Sequence, residues 1–318
     1  MPITAGTTLP RVDLMASVQA APSLQNFIAE IILPPIEVSA QSGRFGVIPA
    51  EARLRRHNTR RLPSGSYPRS TWTLTDDNFA TREYGHEEAL DERQARIYAN
   101  YADFERERAL RIAEVIRLDY EVEVAAMLQN TTTWPLSGNT GYDVSTAWSA
   151  IGADVIGDVL YGQQLGRQAG SLLLDEMVIS WKTWTDISKN TALRAALNVN
   201  VDRVTLLPLG MLAPLLNLKQ IHVGTAMYNS ADDGQTPTFA DIWSSSYASL
   251  IRRAQTSSIE EPCVGRTFHW GADGAGTPAN PTIEEYVEDP VRGSVLRGRA
   301  EAQAKKLLTA GQVLLKID

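Results

Sequence analysis

The sequence predicts an α+β protein in which one long helix separates an N-terminal arm and a hairpin from a mixed α/β region. Residues 104–129 contain neither proline nor glycine, and their apolar side chains recur at helical spacing. Before that helix, residues 46–88 have the pattern of two strands around a turn. After it, strand-like and helix-like segments alternate through residue 261. Together these three observations predict the fold class.

The composition is that of an ordinary globular protein. The 318 residues are 43% hydrophobic and 21% charged, which is enough apolar material for a sizeable core. A net charge of −7 argues against nonspecific nucleic-acid binding by the molecule as a whole. The single cysteine, Cys263, excludes an intrachain disulfide, and we expect it to be a small buried hydrophobe. No signal peptide is expected, and the most apolar run, residues 206–218, is too short to cross a bilayer.

Residues 1–45 are predicted to form an extended N-terminal arm. They show no clear period, and proline, glycine, serine and threonine separate short apolar pieces. Such a segment must lie on another surface to remove its apolar side chains from water. The side chains concerned are Phe27, Ile28, Ile31, Ile32 and Leu33.

Residues 46–88 are predicted to form an extended two-stranded hairpin. The stretch "FGVIPAEARLRR" leads out, and "STWTLTDDNFATREY" returns with apolar and polar residues in alternation. Between them, Pro63 fixes φ and Gly65 supplies the backbone freedom that a turn requires.

Basic side chains are concentrated in this hairpin, with six arginines between residues 53 and 69. Charge together with aromatic rings suits nucleic acid, but no recognised nucleic-acid-binding module surrounds the cluster. An arginine-rich hairpin on an acidic chain also complements a second copy of that chain, as head-to-tail contacts in rings and shells require. We favour this second interpretation. The candidate inter-subunit residues are Arg53, Arg55, Arg56, Arg60, Arg61 and Arg69, with Tyr67 and Trp72.

The long helix is predicted to begin at Phe104, because Asp103 can cap it and Glu105 and Glu107 suit the helix dipole. One apolar face contains Ala109, Ala113, Ile116, Tyr120, Val124 and Met127, and a second stripe contains Phe104, Val115, Leu118 and Val122. A surface helix has one apolar stripe, so two stripes predict a spine that is packed on two sides. A coiled coil is the alternative, but the spacing lasts for fewer than three heptads.

Beyond the helix the elements alternate in type. "ADVIGDVLYGQQLGRQAG" is predicted to be a helix with Gly170 past its end, "SLLLDEMVIS" a buried strand, and "WKTWTDISKNTALRAAL" helical. "QIHVGTAMY" and "SYASLIRR" are predicted strands, and Val313, Leu314 and Leu315 suit a short final strand.

No catalytic, cofactor-binding or metal-binding site is predicted. Phosphate-loop, serine-hydrolase and zinc-protease motifs are absent, and the four histidines have no ligand partner at helical spacing. His222 lies in a strand pattern and is interpreted as a packed or surface histidine. An α/β enzyme with its site in residues 140–260 is an alternative, but those residues offer no convergent polar set.

Four stretches, in a fixed order, resemble one known family. They are "ATREYGHEEALDERQARIYANYADFERERALRIAEVIRLDYEVEVAAML", "GSLLLDEMVISWKTWTDISKNTALRAAL", "LAPLLNLKQIHVGTAMYNSADDG" running on to "IWSSSYASLIRRA", and "EPCVGRTFHW". They resemble the major capsid proteins of tailed bacteriophages with the Hong Kong 97-type fold, in particular the lambda-like capsid protein E group.

That resemblance implies a division of the chain. Residues 1–45 would be the N-terminal arm and residues 46–88 the extended loop that reaches over a neighbouring subunit. Residues 89–135 and 262–308 would form the peripheral domain with the spine helix. Residues 136–261 and 309–318 would form the axial domain around the hexamer and pentamer centres.

The resemblance also implies a function and partners. The chain would be a non-enzymatic shell protein that self-assembles around double-stranded phage DNA without sequence-specific binding, in a virion assembled in the bacterial cytoplasm. A portal protein, a separate scaffolding protein and a cement or decoration protein would be its partners. Some members crosslink through a loop lysine, but this loop contains none, so we expect noncovalent stabilisation. Encapsulins share the fold, and a compartment shell of that kind remains an alternative.

Overall fold

The computed structural model describes residues 8–21, 23, 25–57, 59–61, 63, 65–69, 71, 75–91, 93, 97, 103–197, 206–232, 234–288 and 293–318. Its helices are α1 (Val12–Ala20), α2 (Ala29–Ile32), α3 (Ala50–Leu54), α4 (Phe104–Leu128), α5 (Val155–Gly170), α6 (Trp181–Ile187), α7 (Thr191–Ala196) and α8 (Leu209–Leu215). Its strands are β1 (Leu9–Pro10), β2 (Pro35–Glu37), β3 (Ser42–Val47), β4 (Thr75–Ala80), β5 (Arg82–Asp91), β6 (Gly141–Asp143), β7 (Glu176–Ser180), β8 (Gln220–Gly224), β9 (Met227–Asn229), β10 (Phe239–Asp241), β11 (Tyr247–Ile251), β12 (Gly265–His269), β13 (Thr282–Glu288), β14 (Gly293–Lys306) and β15 (Gln312–Lys316).

The first sheet is built around β14. Its strand order is β1-β13-β14-β12-β2, and β5 pairs antiparallel with β14 from Asp91 opposite Gly293 to Arg82 opposite Ala302. Helix α4 packs against one face of this sheet. Gly298 lies at the closest approach, where an added Cβ would stand 2.3 Å from Cγ2 of Ile112. A glycine here therefore lets helix and sheet meet.

The second sheet has the order β6-β15-β11-β7-β8, and α5, α6 and α8 pack against its strands. The predicted buried strand is confirmed, since every residue of β7 is buried. The single strand predicted for "QIHVGTAMY" is divided into β8, which belongs to this sheet, and β9, which pairs with β10 in a separate two-stranded sheet. The predicted strand at β11 is present, and the final strand, β15, lies between β6 and β11.

The long helix agrees with the sequence in its start, its length and its inner face. The Asp103 side chain accepts a hydrogen bond from the Arg106 amide at 3.3 Å. The N-terminal half of α4 packs on the first sheet. The C-terminal half joins a core that includes Val178 of β7 and Leu314 of β15, so the helix connects the two sheets.

The prediction that α4 is packed on two opposite sides is wrong within the chain. Val115 and Val122 of the second stripe are each 37% exposed, and Phe104 and Leu118 are half-buried. The physical reason is that the sheets and α1 cover one side of the helix. A periodic apolar stripe predicts that one face of a helix is apolar, but it does not show whether the same chain covers that face.

In the described residues the arm is folded against its own chain, so the surface that its apolar side chains were expected to lie on belongs to the same molecule. Helix α1 packs along α4, and β2 pairs in parallel with β12. Ile28, Ile32 and Leu33 are buried in the shared core, and Ile31 is exposed. These short apolar pieces, which follow no regular period, are thus buried against the spine helix and the first sheet.

Among its described residues, the hairpin is paired at its base. Strands β3 and β4 run antiparallel from Ser42 opposite Ala80 to Val47 opposite Thr75. The outgoing half then forms helix α3, so the prediction of a strand through "ARLRR" is wrong. Its sequence AEARL consists of strong helix formers without period-two alternation. The strand predicted at Trp72 and Leu74 lies outside the described residues.

Two helix boundaries differ from the predictions. Gly170 is the last residue of α5, and Ser171 takes the left-handed backbone with φ 54°. The single helix predicted for residues 181–197 is divided into α6 and α7. The division occurs because the Asn190 side chain accepts hydrogen bonds from the amides of Ala192 and Leu193 and caps α7. In the described part of the chain, no helix is both long and apolar enough to cross a membrane.

Candidate assembly surface

The arginine loop is strongly basic and open to solvent. From Arg53 to Thr75 the sequence contains six arginines and no acidic residue. All six arginine side chains are exposed, and Tyr67 is 71% exposed. Trp72 lies outside the described residues. The candidate contact residues that the structure describes are therefore all open to solvent.

Arg53 fastens the loop to its own chain. Its guanidinium donates to the carbonyl oxygen of Glu260 at 3.0 Å. Helix α3, which carries Arg53, also lies against α5. We therefore interpret Arg53 as an intramolecular support of the loop base.

The segment that receives Arg53 is itself held firmly. The buried Arg266 side chain donates to the carbonyl oxygens of Thr256 and Ser258 and contacts the Glu261 carboxylate at 3.2 Å. Burial opposes ionisation of Glu261, but amide hydrogen bonds from Thr256 and Gln255 outweigh it and lower the pKa of this carboxyl. The loop base thus rests on a preorganised turn.

The tip of the loop is organised by Arg61. Its side chain donates to the Gly65 carbonyl oxygen at 2.6 Å and lies over the Tyr67 ring at 4.6 Å. This arrangement closes the turn predicted around Pro63 and Gly65. Arg55, Arg56 and Arg69 are exposed and make no ion pair with any described residue.

Glu121 is an organising residue that the sequence did not reveal. Its fully buried carboxylate accepts hydrogen bonds from the Ile28 and Ala29 amides and from the Trp243 indole. Burial raises the pKa of Glu121, while the Trp243 and amide hydrogen bonds oppose that shift. The only available sequence signal was a carboxylate next to Tyr120 on the apolar face of the helix.

Residues 140–260 and the histidines were the places where the sequence left a chemical site open. No group of three His, Cys, Asp or Glu side chains among them could hold a metal ion. His222 is buried as a packed residue, with its Nε2 atom 2.7 Å from the Glu176 carboxylate. Within residues 140–260, a cavity of about 450 Å³ is lined by glutamines, Arg167, Asn217 and leucines. That lining contains no nucleophile paired with a base.

No model of a known protein family matches the sequence, and no curated protein sequence matches it. Solved structures do match over nearly the whole chain. A phage-related protein from Bordetella bronchiseptica RB50 has a TM-score of 0.71 at 16% identity, covering 98% of each chain. The capsid of cyanophage P-SCSP1u has a TM-score of 0.61 at 12% identity, covering 99% of this chain and 92% of that one.

The chain has the Hong Kong 97-type capsid fold. The fold expectation drawn from the four sequence stretches is thereby confirmed. The encapsulin in the holo-SrpI complex from Synechococcus elongatus PCC 7942 shares it, with a TM-score of 0.53 at 11% identity, covering 97% of this chain and 95% of that one. Neighbours with this fold are shell proteins of phage capsids and of an encapsulin.

Proposed function

We propose that this chain is the major capsid protein of a tailed bacteriophage, a structural protein that assembles through hexamers and pentamers into an icosahedral shell. The observation that carries the proposal is an exposed arginine loop on a net-acidic chain with a capsid fold. The six arginines of this loop have no acidic residue within the loop to pair with. A second copy of the acidic chain offers carboxylates, and each carboxylate can accept two parallel hydrogen bonds from one guanidinium group.

The division of the chain into domains is part of this proposal. The arm is residues 1–45 and the extended loop is residues 46–88. The peripheral domain comprises residues 89–135 and 262–308, which include α4 and the longest strands of the first sheet. The axial domain comprises residues 136–261 and 309–318, whose strands make up most of the second sheet.

The proposed partners follow from the shell. The shell encloses double-stranded DNA without reading its sequence, and assembly takes place in the bacterial cytoplasm with a separate scaffolding protein and a portal protein. Because the loop contains no lysine, subunits are held without covalent crosslinks, by ion pairs and by a cement protein where one is present.

The direct test is negative-stain electron microscopy of the full chain, expressed alone and then with candidate scaffolding proteins. The proposal predicts closed shells, tubes, or rings of five and six subunits. A uniform particle of the monomer mass, 34.9 kDa, in every condition would contradict it.

An encapsulin-like compartment is the second candidate, because the encapsulin match covers almost the entire chain. The contents of shells purified from a host that also carries the neighbouring native genes distinguish the phage capsid from the compartment. Nuclease-protected double-stranded DNA supports the phage capsid, and one protein cargo at fixed stoichiometry supports the compartment.

Nucleic-acid binding through the loop is the remaining alternative. It predicts a monomer or dimer whose affinity for DNA falls steeply as salt rises. Replacing Arg55, Arg56, Arg60 and Arg61 with Glu separates the two functions. The capsid proposal predicts a folded monomer that fails to assemble, whereas intact shells with lost DNA binding would support the alternative.

A further inference from the structure

A cleft of about 680 Å³ lies where the arm, α4 and the loop before β13 meet. We name it the arm cleft, and the residues that define it are Asn26, Phe27, Glu30, Arg117, Thr225 and Ala279. Sites for small ligands have volumes of about 300–1,000 Å³ and combine apolar walls with a few polar groups. The arm cleft has this size and this mixture of side chains.

The walls of the arm cleft are held in place by hydrogen bonds within the chain. Glu30 of α2 accepts the amide of Ala279 at 2.6 Å, which fastens the arm to the loop before β13. The Gln25 side chain accepts the amide of Met227 at 2.7 Å, which fastens the arm to β9. Glu121 of α4 accepts the amides at the start of α2. A ligand would therefore meet walls that are already ordered, which lowers the cost of binding.

Arg117 brings a largely buried positive charge to the cleft. Its side chain is 11% exposed, and its Nη1 atom lies 3.7 Å from the Glu114 carboxylate, which is too long for a hydrogen bond. Within the described part of the chain, its one hydrogen bond runs from Nε to the Ala279 carbonyl oxygen at 2.9 Å. Burial lowers the pKa of Arg117 more than the attraction of Glu114 and Glu30 raises it. The guanidinium group therefore keeps donors that a ligand carboxylate can occupy.

Glu30 brings a negative charge to the same cleft. Its carboxylate is held by the amide of Ala279, and Arg117 is held by the carbonyl group of that same residue. Both side chains are among the described residues, and they form no ion pair with each other. Burial raises the pKa of Glu30, so an added cation would stabilise its charged form. Because one residue holds both groups, a single small ligand can reach the cation and the anion together.

Apolar surface lies beside these two charges. Phe27 is half-buried and Ile31 is 44% exposed, and both side chains line the cleft together with Pro278. An apolar group of a ligand would remove this surface from water. A ligand with a single charge would bring that charge near the like-charged member of the Arg117 and Glu30 pair, which opposes binding. The lining therefore favours a small zwitterion with an apolar body.

We propose that the arm cleft binds an α-amino acid with an apolar side chain. The carboxylate of the ligand pairs with the Arg117 guanidinium group, its ammonium group pairs with the Glu30 carboxylate, and its side chain covers Phe27 and Ile31. This inference goes beyond the proposed shell function and does not depend on it, because the cleft lies within one chain. A bound ligand joins the arm to α4 and to the loop before β13, and it stabilises the folded chain by mass action.

The test is isothermal titration calorimetry of the full, unassembled chain with three probes of similar shape. The probes are L-leucine, 4-methylpentanoate, which lacks the ammonium group, and 3-methylbutan-1-amine, which lacks the carboxylate. L-Leucine should bind, and each of the other two should bind at least about tenfold more weakly, because each loses one charged contact. Equal binding of L-leucine and either analogue would overturn the zwitterion. No binding of L-leucine at up to about 10 mM would overturn the site.

Two variants and a matched control locate the binding. Glu30→Gln keeps an oxygen that can accept the Ala279 amide, and Arg117→Gln removes the guanidinium group. Each should weaken L-leucine binding at least about tenfold and abolish the rise in melting temperature that L-leucine gives the wild-type chain. Arg111→Gln removes an exposed arginine of the same helix outside the cleft, and it should bind as the wild-type chain does.

Circular dichroism checks that both cleft variants are folded. If the Arg117 variant unfolds, Glu30→Gln decides the assignment, since it keeps the shape of the side chain that fastens the arm. Wild-type affinity in a folded cleft variant would overturn the assigned site, whereas shells formed by the wild-type chain would leave the proposed function standing.

Discussion

The Glu121 carboxylate lies 2.7 Å from the indole nitrogen of Trp243, and both side chains are fully buried. Glu121 belongs to α4, whereas Trp243 precedes β11 of the second sheet. The same carboxylate accepts the amides of Ile28 and Ala29 in the arm. One side chain therefore joins the arm, the spine helix and the second sheet.

Replacing Glu121 with Leu should cost about 3 kcal/mol or more of unfolding free energy. The change leaves three buried N–H donors without a partner, and each such group costs about 1–3 kcal/mol. Urea unfolding of unassembled protein measures the loss. Asp119→Leu, on the exposed side of the same helix, should change stability by no more than about 0.5 kcal/mol. Equal losses in the two variants would contradict the role of Glu121.

Replacing Gly298 with Ala should destabilise the fold by about 1–3 kcal/mol, because the added Cβ would stand 2.3 Å from Ile112. Gly85→Ala is the matched control on the adjacent strand, where the nearest atom is 3.5 Å away. The measurement is chemical unfolding of both variants. In an Ile112→Ala background, which lacks the Cγ2 atom, Gly298→Ala should cost less stability, whereas the cost of Gly85→Ala should be unchanged.

The inner and outer stripes of α4 should respond differently to truncation. Val124 is fully buried, so Val124→Ala should cost about 2 kcal/mol. Val122 is 37% exposed, so Val122→Ala should stay within about 0.5 kcal/mol in the unassembled protein. Comparable losses in urea unfolding would show that the outer stripe is covered within the chain.

The pairing of Glu176 with His222 should make stability depend on pH. Burial opposes ionisation of Glu176, but the His222 and Arg253 contacts outweigh it and lower its pKa from 4.5. A lowered folded-state pKa gives stability that is present above the unfolded pKa and is lost as pH falls through the folded value.

Glu176→Gln should therefore lose about 1–3 kcal/mol at pH 7, and its deficit relative to wild type should shrink as the pH falls below about 4.5. Unfolding curves at several pH values measure both. Glu37→Gln, at an exposed position of β2, serves as the control and should show no such convergence. A deficit for Glu176→Gln that is independent of pH would contradict the assignment.

Cys263 should be inert in the folded protein. Burial raises the pKa of its thiol to about 11, so almost none is thiolate near neutrality. A disulfide reagent at pH 8 should modify the native chain at least about a hundredfold more slowly than the urea-unfolded chain. Rapid stoichiometric modification of the native protein would show that the thiol is accessible.

Elements with strong local signals were predicted well from sequence. Helix α4 has a cap at Asp103 and no helix breaker, and β7 is an apolar run between turns, so local physics decides both. The division between α6 and α7 was missed because the Asn190 cap interrupts a segment whose composition is helical throughout. Local composition alone does not show which of several polar residues will act as a cap.

Contacts between distant segments could not be derived in the same way. The apolar residues of the arm indicated burial, but the carboxylate that fastens Ile28 lies 93 residues away. For the candidate site, the arginines were visible as a cluster. That Arg53 contacts its own chain at Glu260, while Arg55 and Arg56 stay unpaired among the described residues, depends on the tertiary path of the loop.

The most direct test of shell formation is cryo-electron microscopy of the particles formed by the wild-type chain with its scaffolding partner. The account predicts an icosahedral shell in which the loop of residues 53–69 in one subunit contacts the next subunit. Particles that never exceed the monomer mass of 34.9 kDa under any assembly condition would contradict it.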